Sequence, residues 1–569
     1  MSRVSGIEDK VSYRAVPEPN SAKKPQRFGG YAALVAAGIL LSRFAGLIRL
    51  SVFAHYLGAS WAADAFSVAL KVPNFLQNLL GEGVLSASFI PVYSRLLAKG
   101  DEKLAGRVAG VFVSFLMLLV SGIVLVGVLL TPVILGITAA GLDAQTMELA
   151  IRLTRIIFPG VGLLVLYAWT LGILNAHKQF FVSYVAPVLW NGAMIAALVI
   201  FGSRLKDADL AVALAWGTFI GCGLQLAIQI PFVMRHAKGL SFGFDRKLEP
   251  VWNIFRNIGP VVGGRGVVQI SGYIDTFIAS FLPTGSVTNL LYAQTVYMAP
   301  ISIFGMSVAA AELPQMASET GTQEEINTAL RRRLDRGVRQ IAFFVVPTIA
   351  AFVFIGRVLV AALFERGKFT PATTILVWYI LIGSTIGLLV ATQARLYSSA
   401  FYALHDPKTP FRYAMGRVTL GAALGFLFAF PLRPMFAGIV AALGLPMPNV
   451  EGGAAEALGT VGITAATGIA AWLEYILLRR GIAKRIGRGE SKTGYFAKLW
   501  AAALAAAVAA FAFDRYFAFG FTRSLPMKNV AEAILVCGLF GIIYLGVGFA
   551  LGVPEVRATL GRFTRKKKA

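Results

Sequence analysis

The chain has 569 residues, of which 57% are hydrophobic and 14% charged, with a mean hydropathy of +0.70. That balance excludes a soluble globular domain and indicates an all-α, polytopic membrane protein. The formal net charge of +25 sits mostly in short connectors between apolar stretches, where it sets topology and does not mark a nucleic-acid partner.

Residues 1–28 are polar and lack an apolar core segment, so they read as a cytoplasmic N-terminal tail and not as a signal peptide. Apolar stretches of helical length follow near 30–57, 62–97, 104–137, 145–175, 180–203 and 209–234. Six more lie near 250–282, 287–316, 338–363, 371–403, 409–431 and 457–479, and a last pair near 495–517 and 529–552. The expected architecture is about fourteen transmembrane helices. Residues 29–240 form a first lobe, 246–431 with 452–487 a second, 492–555 a terminal helix pair and 556–569 a basic cytoplasmic tail. Every second connector is basic, for example Arg95 to Arg107, Arg331 to Arg336 and Arg479 to Arg488, which assigns those connectors and both termini to the cytoplasm. The connectors around 55–62, 138–144, 283–287 and 432–455 are short or charge-poor and fall on the opposite face.

Weak internal matches point to a duplication. Phe89-Ile90-Pro91 parallels Glu312-Leu313-Pro314, Asn175-Ala176-His177 parallels Ala403-Leu404-His405, and Gly58-Ala59-Ser60 parallels Gly285-Ser286, all at offsets near 225 residues. Six spans per unit leave the copies in the same orientation, so two lobes related by an axis along the membrane normal enclose a central cavity.

Ionisable residues inside the apolar spans mark where polar chemistry is done, because a charge at bilayer depth costs about 3 kcal/mol or more unless it meets a partner or water. On a continuous helix from Asp64, residues Lys71, Asn78 and Glu82 fall within roughly 40° of it and make one polar stripe. Pro73 and Gly81-Glu82-Gly83 are expected to bend or break that helix. Arg43 is deep in the first span and Arg49 near its outer rim, where Asp64 is placed to pair with it. These groups line a cavity for an anionic headgroup or, alternatively, serve as structural ion pairs. In the second lobe Arg265, Asp275 and Arg417 are intramembrane charges; Asp275 is a candidate for a coupling cation or proton, or for neutralising a nearby Arg.

Enzyme motifs are poorly represented. Gly487-Arg488-Gly489-Glu490-Ser491-Lys492-Thr493 lacks the phosphate-loop spacing, Asp207-Ala208-Asp209 is expected to cap the sixth helix, and Cys222 and Cys537 read as buried thiols. No metal and no cofactor are expected.

The run Ser42-Arg43-Phe44-Ala45-Gly46-Leu47-Ile48-Arg49 resembles the MurJ (MviN) family of lipid II flippases in the MOP exporter superfamily. So do Gly58-Ala59, Asp64-Ala65-Phe66, Lys71-Val72-Pro73-Asn74, Gly81-Glu82-Gly83, Gly367-Lys368-Phe369 and the stretch Phe401 to Pro410. The resemblance implies an inner-membrane protein of fourteen helices that moves lipid II, a polyprenyl-linked peptidoglycan precursor, by alternating access for cell-wall synthesis. It implies no enzymatic activity, coupling to a monovalent cation or to the membrane potential, membrane lipids as neighbours and peptidoglycan-synthesis proteins as further partners. A related exporter of another polyprenyl-linked glycan or of small cations is the alternative. The implied cavity residues are Arg43, Arg49, Asp64, Lys71, Asn74 and Glu82, and the last two helices would line a groove for the polyprenyl tail. Where the family often carries arginine, this chain has Gln77, Asn78 and Thr295, and Met298 stands where an acid is common; Arg265 and Arg417 are expected to restore the cationic lining.

The positive-inside asymmetry predicts that cysteines placed at Ser2 and Thr322 react with a permeant reagent only. Labelling of either by an impermeant reagent in intact cells reverses the orientation.

Overall fold

The computed structural model describes the backbone of residues 28–487, 489, 493–518 and 527–557, and the side chains of these except 28–36, 82, 259–271, 493 and 518. Nearly all of the two expected tails therefore lies outside the described residues. All regular structure among the described residues is helical. Eleven helical stretches are long and apolar enough to cross a membrane, or twelve when the pair Lys408–Ala429 and Arg433–Ala442, bent by 65°, counts as one.

The first half contains α1 (Phe28–Leu57), α2 (Trp61–Leu80), α3 (Glu82–Ala98), α4 (Glu102–Leu129), α5 (Thr131–Thr138), α6 (Ala144–Ala176), α7 (Phe180–Phe201), α8 (Asp207–Ala227) and α9 (Ile230–His236). The second contains α10 (Glu249–Ser280), α11 (Ser286–Pro300), a π-helical turn (Ile301–Met306), α12 (Ser307–Ala317), α13 (Gln323–Phe354), α14 (Gly356–Phe364), α15 (Pro371–Ala403), α16 (Lys408–Ala429), α17 (Arg433–Ala442), α18 (Ala454–Ala457) and α19 (Gly459–Ile486). The terminal pair is α20 (Thr493–Phe513), which ends in a π-helical turn, and α21 (Lys528–Ala550). Each of the fourteen expected spans coincides with a helical stretch. The second is interrupted: α2 runs through Pro73 and stops at Gly81, whose ψ of −147° is outside the helical range. Pro73 was one expected bend, and the break belongs to the glycine alone.

The packing order of one half recurs in the other. Helices α2 and α3 pack on α6, α6 on α8, α7 on α8 and α1 on α7; correspondingly α11 and α12 pack on α15, α15 on α19, α16 on α19 and α10 on α16. This is the geometry a duplicated six-span unit produces. The terminal pair docks on α13 and α14. Alanines 502, 503, 506 and 507 of α20 let the backbones approach Ala342, Phe343, Val346 and Ala350, and the Tyr544 hydroxyl donates to the Phe343 carbonyl at 2.7 Å.

Connector chemistry explains part of the sequence pattern. Asp406 caps α16 through Thr409, with its backbone N–H at 3.1 Å and its hydroxyl at 2.6 Å, and ties α16 to α19 through Arg485 at 2.5 Å. The Thr409 hydroxyl, the Thr409 N–H and Arg485 hold this carboxylate at about 2. Its folded value is depressed, so this contribution is present above the unfolded carboxylate range and is lost as pH falls toward 2.

The two halves meet at the end of the bundle that carries the charge-poor connectors. Gly58 (φ +58°) lies against the Lys368 carbonyl, and Gly285 (φ +89°) lies against the Ala59 carbonyl, where an added Cβ would sit 2.4 Å from the oxygen. A left-handed conformation strains a side-chain-bearing residue by about 1–3 kcal/mol, and at Gly285 the clash adds to it. Gly285→Ala is expected to lower the melting temperature in detergent clearly more than Gly100→Ala, where φ is +79° and nothing lies within 4 Å. Equal shifts would show that the Ala59 contact relaxes freely.

Candidate functional site

Helix α11 begins at Ser286 behind Gly285, a residue with no side chain to cap it. Its leading N–H groups need acceptors, and a helix N-terminus favours negative charge. Asp64, 4% exposed and contributed by α2 of the other half, supplies both. Its carboxylate accepts from the Gly285 N–H at 2.6 Å, the Thr288 N–H at 2.8 Å and the Thr288 hydroxyl at 2.6 Å. Beside it, the Tyr292 hydroxyl donates to the Gly58 carbonyl at 2.7 Å and the Lys368 N–H to the His55 carbonyl at 2.9 Å. The ring of Tyr292 stands 5.0 Å from Phe364, 5.1 Å from Phe369 and 6.3 Å from Phe53, which packs on Phe66. Polar caps and an aromatic plug thus close this end.

The expected Arg49–Asp64 pair is not formed. Asp64 is saturated by α11, while the Arg49 Nε donates to the Asn191 side chain at 2.9 Å and its guanidinium lies 5.6 Å from the centre of the Trp190 ring. The expected capping role of Asp207 is also corrected: it lies in the first turn of α8, Lys206 takes the N-cap position, and the Asp207 carboxylate pairs with Lys368 across the two halves.

Two further cations of the first half reach the second. The Arg43 guanidinium donates to the Ser302 hydroxyl at 2.8 Å. Ser302 lies in the π-helical turn that follows Pro300, where the proline removes one backbone donor and the helix widens. The Lys71 ammonium donates to the Gly272 carbonyl at 2.5 Å and to the Thr276 hydroxyl, and sits 5.6 Å from the Tyr273 ring centre. The Tyr273 hydroxyl in turn donates to the Lys71 carbonyl at 2.8 Å. One turn from Lys71, the Asn74 carbonyl oxygen is enclosed without a donor among the described residues. The side chains of Glu82 and Arg265 lie outside the described residues.

Asp275 shares a small enclosure with Arg417, Gly421, Ala422 and Thr467, and accepts from the Thr467 hydroxyl at 3.4 Å. Arg417 is itself paired with Glu474 at 3.3 Å, so it is not a free cation for an anionic headgroup. Arg395 of α15 lies within electrostatic reach of Arg417, Glu474 and Tyr297. The structure therefore brings Lys71, Asp275 and Arg417 into one neighbourhood and keeps Arg49 and Asp64 on separate partners. Glu474 and Arg395 are charges inside apolar spans, and that signal alone would have found them. Thr288, Gly285, Ser302 and Asn191 carry no comparable sequence signal.

The comparisons with known proteins agree with this geometry. The family model described as lipid II flippase MurJ matches residues 53–447. A probable lipid II flippase MurJ of Haemophilus influenzae is 31% identical over 460 residues, covering 78% of this chain and 84% of that protein. The lipid II flippase MurJ of Burkholderia cenocepacia is 29% identical over 532 residues, covering 92% and 97%. Among solved structures, a lipid II flippase MurJ in an inward closed conformation superposes with a TM-score of 0.70 at 21% identity, over 91% of this chain and 98% of that one. An inward-facing MATE multidrug transporter of the MOP superfamily superposes at 0.59 with 16% identity, over 80% and 98%. The fold is thus shared with both of these structures, and the sequence match over most of the length decides the family: this chain belongs to the MurJ family of lipid II flippases.

Proposed function

We propose that this chain translocates lipid II from the inner to the outer leaflet of the bacterial cytoplasmic membrane by alternating access, with both termini cytoplasmic. The observation that carries this reading is the closed charge-poor end, where Asp64 caps a helix of the opposite half and the Phe53–Tyr292–Phe369 plug fills the seam. Beyond that seal, Arg43 and Lys71 reach from the first half to the second. A headgroup that enters between the halves meets Arg43 and Lys71 on weak, neutral acceptors, which a phosphate outcompetes. Arg49 is held by Asn191 and Trp190, oriented but with no ion pair to an acid among the described residues. Lipid II carries its charge at the pyrophosphate, and the terminal pair offers an apolar flank for its polyprenyl tail.

Asp275 is the proposed point of energetic coupling. In the closed form Lys71 stands within electrostatic reach of it. Separation of the halves withdraws Lys71, which belongs to α2, and leaves Asp275 to share Arg417 with Glu474, a deficit of positive charge at bilayer depth that a cation or proton fills. A monovalent cation or the membrane potential is therefore the driving element, and no resident cofactor takes part.

Arg43→Ala, Arg49→Ala and Asp64→Ala are expected to reach the membrane at near-normal levels and to fail in rescuing a flippase-depleted bacterium. Degradation of the variants, or full rescue by all three, removes these residues from the transport cycle. In proteoliposomes, translocation of lipid II by the wild type should respond to an imposed cation gradient or potential and that by Asp275→Asn should not. An unchanged response in Asp275→Asn excludes it as the coupling group.

A further inference from the structure

At the basic end of the bundle, away from the seam between the halves, a cleft of about 630 Å³ opens between α13, α19 and the start of α20. It joins a second space of about 500 Å³, with which it shares Arg331, Asp335, Val338, Gly489 and Phe496. Among the described residues they are lined by six arginines, Arg331, Arg332, Arg336, Arg339, Arg479 and Arg480, and by one acid, Asp335. No described residue of the first half contributes to either wall.

We propose that this cleft is a phosphate-ester binding site, separate from the translocation path between the halves. The arginines on α13 supply their own control. Arg333, on the far side of the helix, pairs with Glu319 at 2.5 Å and Glu312 at 3.6 Å. None of the six cleft arginines makes an ion pair with an acid among the described residues. Arg331 has only the Thr328 hydroxyl, at 3.0 Å, and the Nε atoms of Arg331 and Arg339 are enclosed with no acceptor in the described structure. Enclosed donors of this kind are rare unless a ligand or water completes them. Six like charges around one space also repel, and an anion of more than one charge removes that cost.

The guanidinium fork fits two phosphate oxygens at once, which selects phosphate over a single-point anion. One wall is aromatic, with Tyr397, Trp472, Tyr475 and Phe496, which suits the apolar flank of a phosphate ester. Basic pockets between membrane helices on one face hold phospholipid headgroups in this way. A soluble phosphate compound carries the same group. Because α20 forms one side of the cleft and also docks on α13, an occupant bridges the terminal pair to the second half.

The test uses the full-length protein, purified and delipidated in uncharged detergent. Dioctanoyl-phosphatidylglycerol and inorganic pyrophosphate are titrated separately against melting temperature and retention in native mass spectrometry, with dioctanoyl-phosphatidylcholine as the zwitterionic control. Binding of the phosphatidylglycerol assigns the site to a leaflet lipid, and binding of pyrophosphate alone assigns it to a soluble phosphate; either supports the site. Arg331→Gln with Arg339→Gln should weaken that binding by about tenfold or more, the loss expected for charge-assisted hydrogen bonds. The exposed pair Arg479→Gln with Arg480→Gln should weaken it in the same direction in a protein that folds normally, whereas Arg107→Gln, on the surface of the first half, should leave it unchanged. Absence of binding by both probes, equal binding by the wild type and by both double variants, or loss of binding in Arg107→Gln overturns the proposal.

Discussion

A carboxylate buried in a membrane protein needs donors, and in this fold one such carboxylate joins the two halves. Asp64 takes the backbone N–H groups that open α11 and the Thr288 hydroxyl. The arrangement solves two problems at once, because α11 starts behind a glycine and has no cap of its own. The tight turns at Gly58 and Gly285 exist to let this contact form: each needs a left-handed backbone, and each lies against a carbonyl of the opposite half. Phe53, Phe66, Tyr292, Phe364 and Phe369 then fill the space the turns leave.

The remaining intramembrane charges are distributed by the same rule, that each finds a polar neighbour, but with different strengths. Arg417 has a carboxylate, Arg49 an amide and an indole, Arg43 a hydroxyl, and Lys71 a carbonyl and a hydroxyl. Strength of pairing ranks how readily each cation turns to another anion. By that ranking Arg43 and Lys71 are available and Arg417 is committed. In the proposed function the cationic lining therefore rests on the first-half residues Arg43, Arg49 and Lys71, while Arg417 is held by Glu474.

The fold was largely legible in the sequence because apolar length and basic connectors depend on composition over twenty or so residues, which tolerates local errors. Weak internal matches were enough to anticipate the duplicated packing. The break in the second span was placed correctly at the glycine triplet, while Pro73 stays inside α2 because a proline costs only its own hydrogen bond when neighbouring helices support the turn. The site was legible only as a set of residue types. Arg43, Asp64, Lys71 and Asp275 stood out as charges in apolar spans, yet helical periodicity reports the face of one helix and says nothing of what stands opposite. Asp64 was matched with Arg49 because they are close in sequence; its true partners, Gly285 and Thr288, are more than 220 residues away. Gly285 in particular offers only a backbone N–H, which every residue has.

Reversibility sets a limit on how strong such a closure can be. Hydrogen bonds to a charged group contribute about 1.5–3 kcal/mol each, so three of them on one carboxylate would be a heavy lock if nothing replaced them. Asp64 lies four residues from the connector at Ser60, and Thr288 three from the turn at Gly285. Parting of the halves at this end therefore brings water to both partners at the moment they separate, and hydration recovers most of what the broken bonds lose. The aromatic plug behaves oppositely, since exposing Tyr292 and Phe369 to water is unfavourable throughout. A ligand that binds the open form better needs only to offset that difference, which is the size of coupling that binding energy can supply. Burying the carboxylate deeper, among residues that water could not reach on opening, would turn the same three bonds from a latch into a permanent weld.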